Sequence, residues 1–198
     1  MAKAKQERDK GPNSNGAEIR PADFLPGDDK PPVAVRLNLG CGNKILDGYL
    51  NCDYEDNYSD NKPDVPCDIK ELPFDNDFAD EILAVHVLEH FYVWEVEDVL
   101  TEWIRVLKPG GKLIVEVPCL DKIINHFIKF DGAPPVNLAM WGLYGDPSYQ
   151  DERMCHRWCY SEKQLIALFD QVGLSDIESK PPQFHVEIRD MRMEATKC

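Results

Sequence analysis

The chain lacks any apolar run of 18 residues, so no stretch is predicted to cross a bilayer. Its N-terminus lacks the apolar core of a secretory signal. Basic residues are scarce: 22 Lys and Arg stand against 36 Asp and Glu, a formal net charge of -14. An acidic surface repels a phosphate backbone, which argues against nucleic acid as a partner unless a local basic patch overrides it. The seven cysteines are an odd count without framework-like spacing. They read as reduced thiols, and the expected compartment is the cytoplasm. No internal repeat is present, and the phosphate loop GxxxxGK[ST] is missing.

What is present fits one domain. A chain of 198 residues with 43% hydrophobic residues can bury a sizeable core. Residues 1–32 stand apart, being charged, rich in Pro, Gly and Asn, and free of hydrophobic period. Such a composition cannot offset its ordering entropy. It reads as an N-terminal tail, with Phe24 and Leu25 able to dock, followed by a single domain over 33–198.

From Val33 the pattern changes. "VAVRLNL" is a short apolar run ending at Gly40 and reads as a buried strand. "YLNCD" is a second strand ending at Asp53, and "FADEILAVH" a third ending near His86. Residues 87–107 carry helical spacing through Leu88, Phe91, Val96, Val99, Leu100, Trp103 and Leu107. "KPGG" stops that helix, and "KLIVEVP" is a fourth strand. Residues 131–150 read as a long irregular stretch whose Trp141, Tyr144 and Tyr149 point to a functional loop. Ser161 and Gln164 form a capping box, Tyr160 and Leu165 a hydrophobic staple, and Gly173 a helix stop. "LSDIESK" and "HVEIRDMRMEAT" read as two closing antiparallel strands. The alternation predicts an α/β fold with a mostly parallel sheet and crossover helices.

The glycine pair after the first strand lets backbone approach a ligand closely. An acid ending the second strand can accept hydrogen bonds from both hydroxyls of a ribose. A dinucleotide fingerprint would read GxGxxG with its acid about 20 residues on. Here Gly40 and Gly42 are followed by Ile45, and Asp53 lies 13 positions after Gly40. A nucleoside cofactor without phosphates fits better, and S-adenosylmethionine is the common one.

With those residues in view, 35–118 resembles the class I S-adenosylmethionine-dependent methyltransferases. "LNLGCG" resembles their glycine motif, which places Gly40, Cys41 and Gly42 at the cofactor, and Asp53 falls at their ribose-binding acid. "CDIKELPFDNDFADEI" resembles the stretch in which an acid, here Asp68, meets the adenine amino group while Ile69 packs near the base. "VLEHF" and "RVLKPGG" resemble the helix and turn before the fifth strand. The resemblance implies a Rossmann-like, seven-stranded sheet with a reversed last strand, and S-adenosylhomocysteine as product. One departure is plain: "NKILDG" is too short for the helix usual between the first two strands. This compact form, with "HRWCYSEKQL" and "RDMRMEA", is similar to small bacterial and phage methyltransferases associated with surface-glycan genes. The resemblance then spans about 35–197 and implies a small-molecule or glycan acceptor, above all a sugar hydroxyl. It leaves the oligomeric state open.

A hydroxyl acceptor profits from a nearby base. The histidines are His86, His90, His126, His156 and His185. His86 ends the third strand on the ligand edge, and His156 follows the aromatic stretch. These two are the candidate catalytic residues, and His86 also a candidate at the cofactor. A rival reading is a divalent cation on His86, Glu89 and His90, with His156 as fourth ligand. It is similar to an ExxEH pattern of certain metal-assisted O-methyltransferases, but the first position here is His, and the reading adopted is metal-free. Two readings from other classes are a non-catalytic cofactor-binding module and a nicotinamide-dependent oxidoreductase, the latter disfavoured by the absent third glycine.

Overall fold

The structure, a computed structural model, describes residues 34–55, 62–129 and 137–198. The expected N-terminal tail, with Phe24 and Leu25, lies outside the described residues. Seven strands form one sheet: β1 (Arg36–Leu39), β2 (Leu50–Asp53), β3 (Val65–Pro66), β4 (Ala79–Val85), β5 (Leu107–Pro118), β6 (Leu174–Lys180) and β7 (Asp190–Lys197). Their spatial order is β3-β2-β1-β4-β5-β7-β6. Neighbours from β3 through β5 pair in parallel, whereas β7 runs antiparallel to both β5 and β6. This is the expected Rossmann-like α/β sheet with a reversed last strand. The parallel strands are buried on both faces, so β5 is continuously buried from Leu113 to Pro118.

Among the described residues four α-helices accompany the sheet: α1 (Val96–Val106), α2 (Leu120–Lys129), α3 (Asn137–Tyr144) and α4 (Glu162–Gln171). α1 buries Val96, Val99, Leu100, Trp103 and Val106 along one stripe. Trp103 is fully buried and donates its indole N–H to the Ile69 carbonyl at 2.9 Å. α4 begins at the expected capping box of Ser161 and Gln164. It ends before Gly173, whose φ is +85°.

Three expectations are corrected. The periodic stretch 87–107 is not one helix: a single 3-10 turn, Leu88–His90, precedes α1. The Glu89 carbonyl accepts the N–H groups of Arg157 (2.7 Å) and Trp158 (3.2 Å), so a distant segment takes the acceptor that continued helix would use. The 131–150 stretch is partly ordered into α3 and a short 3-10 turn at Pro147–Tyr149, with 131–136 outside the described residues. α2 and β3 had no counterpart in the sequence reading.

The short link between β1 and β2 does lack a helix. Two buried asparagines organise it instead. Asn38 donates to the Lys44 carbonyl (2.8 Å) and to Asn51 Oδ1 (2.9 Å), and Leu46 N–H donates to the same Asn51 oxygen (2.9 Å). Side-chain amides thus satisfy backbone that a helix would otherwise satisfy itself.

Candidate active site

The carboxyl ends of β1, β2 and β4 meet at one edge of the sheet, where open α/β sheets bind ligands. The glycine turn closes this edge. Gly40 has φ +64°, and a Cβ there would stand 2.6 Å from Val87 Cγ2, so no side chain fits. The N–H groups of Gly40 and Cys41 both donate to the Cys52 carbonyl, at 2.8 and 3.2 Å. Gly42, at φ +51°, donates to Asp53 Oδ2 at 2.7 Å. Asp53 Oδ1 accepts from Tyr54 N–H at 2.7 Å. Asp68 lies beyond β3 and accepts from Lys70 N–H at 2.9 Å. Burial and the neighbouring Asp68 carboxylate push the Tyr54 phenol pKa up. Ile69 is buried beside Asp68. A turn without a side chain at Gly40 and Gly42, a half-buried acid with spare lone pairs and a flanking apolar residue fit a nucleoside. The Cys41 thiol is pushed up to about 12 by burial and by Asp53, so it packs as a neutral group.

Four histidines converge beside this turn. His86 follows β4 in the left-handed region, φ +54°, a conformation rare for a residue with a side chain. Its Nδ1 lies 2.9 Å from Glu89 Oε1, and its Nε2 lies 3.5 Å from Asp190 Oδ1. Burial lowers the His86 pKa, but Glu89 and Asp190 more than reverse this and hold it at about 9. Burial would raise the Glu89 carboxyl, yet His86 keeps it at about 2. His156 Nδ1 meets the Gly142 carbonyl at 2.9 Å, which fixes Nδ1 as the protonated nitrogen and leaves the Nε2 lone pair free. That Nε2 faces Glu89 Oε1 at 3.9 Å. Burial lowers the His156 pKa against the pull of Glu89, so its neutral form prevails. His90 stands edge-on to His156 with ring centroids 4.9 Å apart. His185 lies 4.0 Å from His86 between ring centroids, and its Nε2 is 2.6 Å from Lys44 Nζ. Burial, with His86 and Lys44 alongside, depresses His185 to about 4.

Tertiary contacts hold these rings. Gly145, at φ +88°, lets the Met154 carbonyl come so close that a Cβ would stand 2.1 Å from its oxygen. His156 N–H then reaches the Tyr144 carbonyl at 3.2 Å. The Glu116 carboxylate accepts from Gln183 N–H (2.7 Å) and Phe184 N–H (3.0 Å), which presents His185.

Gly40, Cys41, His86 and His156 line one cavity of about 350 Å³, with Lys44, His90, Trp141, Tyr149, His185 and Arg189. Asp53, Asp68 and Ile69 lie outside that lining. His126 sits on α2, away from the cavity. A larger hollow of about 520 Å³ opens on the outer side of α3, without the glycine turn or the histidines, and we give it no role in the chemistry. Sequence reasoning missed Lys44, His185, Arg189 and Asp190. Only the grouping "HVEIRD" with an odd histidine hinted at the last three.

Comparison with known proteins fits this geometry. Residues 37–115 match the family described as a methyltransferase domain. The chain is 33% identical over 88 residues to the human protein named Probable tRNA methyltransferase 9B, covering 44% of this chain and 19% of that protein. It is 29% identical over 125 residues to the ubiquinone/menaquinone biosynthesis C-methyltransferase of Brucella canis, covering 60% of this chain and 44% of that one. The chain therefore spans less than half the length of these curated relatives. The solved 1,6-didemethyltoxoflavin-N1-methyltransferase of Burkholderia thailandensis, holding that acceptor and S-adenosylhomocysteine, superposes with a TM-score of 0.55. Its sequence identity is 15%, covering 83% of this chain and 71% of that one. The sheet order is that of a Rossmann-like α/β fold, and residues 37–115 within it are similar to a methyltransferase domain. Among the described residues no helix is long and apolar enough to cross a membrane.

Proposed function

We propose that the chain methylates a hydroxyl of a small-molecule acceptor, of the sugar class, from S-adenosylmethionine. The observation that carries this reading is the continuous cavity from the Gly40–Lys44 turn to His156. Its volume of about 350 Å³ suits a small ligand. The relatives act, by their names, on quite different acceptors, so the acceptor is argued from this cavity alone.

The cofactor supplies a methyl group on a sulfonium, with the electron pair of the broken C–S bond staying on sulfur. The protein's own part is alignment and removal of the acceptor proton. Asp53 and Asp68 hold the nucleoside, and the Gly40–Gly42 turn sets its depth. Trp141 and Tyr149 offer apolar faces against which a sugar ring can lie. His156, with its proton held on Nδ1, turns the Nε2 lone pair toward the cluster and assists deprotonation of the acceptor hydroxyl. His86, set between Glu89 and Asp190, serves this step by position and not as the base. All seven cysteines are free, which suits a reducing compartment, and we place the reaction in the cytoplasm.

The test is a screen of sugars, nucleotide-sugars, phenols and amines, read by release of S-adenosylhomocysteine. Turnover of a hydroxyl acceptor, falling roughly 10²–10⁴-fold in His156→Ala with little change in cofactor affinity, supports the reading. Turnover of amines alone, or a His156→Ala enzyme at wild-type rate on a hydroxyl, sinks it.

A further inference from the structure

Glu89 is fully buried, and neither of its carboxylate oxygens has a hydrogen-bond partner among the described residues. His86 Nδ1 stands 2.9 Å from Oε1, but the contact is one of charge without an aligned N–H. His90 Nδ1 and the Tyr160 hydroxyl are buried and unpartnered as well. Buried polar atoms are normally satisfied, so several orphans around one carboxylate mark a missing ligand. A further sign is that His156 turns a lone pair, not an N–H, toward Glu89 at 3.9 Å. A lone pair facing a carboxylate is repulsive unless a cation lies between them.

We infer that His86, Glu89 and His156 bind one divalent transition-metal ion of the zinc type. This rests on the proposed hydroxyl acceptor and deepens it, since His156 then assists deprotonation as a ligand of the ion. One nitrogen from each histidine and one carboxylate oxygen lie within 4.8 Å of one another. Two nitrogens and one carboxylate form a set that holds catalytic zinc with a fourth position open. Bonds of about 2.0–2.1 Å in a tetrahedron separate donor atoms by about 3.3 Å. The contacts of 2.9 and 3.9 Å to Glu89 bracket that spacing.

The outer partners agree. His156 donates its Nδ1–H to the Gly142 carbonyl, and His86 Nε2, without a hydrogen bond among the described residues, stands 3.5 Å from Asp190 Oδ1. Metal-bound histidines are usually oriented in this way. The alternative set His86, His185 and Asp190 is already engaged. Lys44 occupies His185 Nε2, and Arg189 makes two bonds to Asp190, at 2.7 and 2.9 Å. Two positive side chains there repel a cation. His86 and His156 both line the acceptor cavity, so the open position faces it. With the acceptor oxygen in that position the O–H bond breaks heterolytically. The electron pair stays on oxygen beside the ion, and the proton leaves to water.

The full chain, stripped with a chelator, is titrated with Co²⁺ and then Zn²⁺. One Co²⁺ per chain, with the visible absorption of a four-coordinate site and displacement by Zn²⁺, is expected. Glu89→Gln and His156→Ala should each weaken binding by on the order of 100-fold. Wild-type protein that binds no ion one-to-one, or binds it as weakly as a folded Glu89→Gln, overturns the inference. Calorimetry with S-adenosylhomocysteine separates the two readings. The cofactor should bind Glu89→Gln as it binds wild type, and a wild type that takes the ion but no cofactor defeats the function alone.

Discussion

Gly42 donates its backbone N–H to Asp53 Oδ2 at 2.7 Å, so the acid assigned to the ribose also braces the glycine turn. Asp53→Ala should therefore lower affinity for S-adenosylhomocysteine by about 1–3 kcal/mol, roughly 5- to 150-fold. Asp53→Asn keeps an acceptor for Gly42 and should recover part of that loss. Calorimetry on both variants decides, and wild-type affinity in a folded Asp53→Ala removes Asp53 from the site.

Trp103 links the core to the cofactor edge by its bond to the Ile69 carbonyl, next to Asp68. Trp103→Phe leaves that carbonyl unpaired and opens space around the ring. The expected cost is about 2–4 kcal/mol of folding stability, the sum of a lost buried hydrogen bond and a cavity. Urea unfolding measures it. A loss under about 0.5 kcal/mol means the carbonyl found another partner.

Gly145 sits where two backbone segments nearly touch. Gly145→Ala must move Met154 and with it His156, besides straining φ at +88°. Turnover should fall at least about tenfold while cofactor affinity stays near wild type, because the glycine turn is elsewhere. Unchanged turnover means that the exact place of His156 is not needed.

Glu194 is one of the carboxylates on the reversed strand that make the fold acid-sensitive. Burial would raise its pKa, but Lys180 at 2.8 Å and Arg192 at 2.7 Å hold it at about 2. The folded value lies below the unfolded one, so the folded state binds fewer protons. The stabilisation is complete above pH of about 4.5 and is lost as pH falls toward about 2. Melting temperatures should drop more steeply between pH of about 5 and 2 in wild type than in Glu194→Gln. Parallel curves would assign the acid limb to other carboxylates.

Local signals alone determined much of this protein. Apolar runs cut by Gly40 and Asp53 gave parallel strands, because burial on both faces needs nothing but the run itself, whereas "KPGG" proved to lie within β5 and not before it. The Ser161–Gln164 box and Gly173 bounded α4, since capping is satisfied within a few residues. The glycine pair and Asp53 were legible because close backbone approach demands glycine, and the first two strands run side by side. The tertiary structure decided the rest. The 87–107 helix broke because Arg157 and Trp158 claim the Glu89 carbonyl from far along the chain. His185 and Asp190 joined His86 only because the β6–β7 pair places β7 against β5. His86 stands three residues from Glu89 as its spacing implies, but His156 reaches it from a segment that no periodicity connects. Spacing reports which face of an element is buried, but which charges meet there is fixed only when distant segments pack.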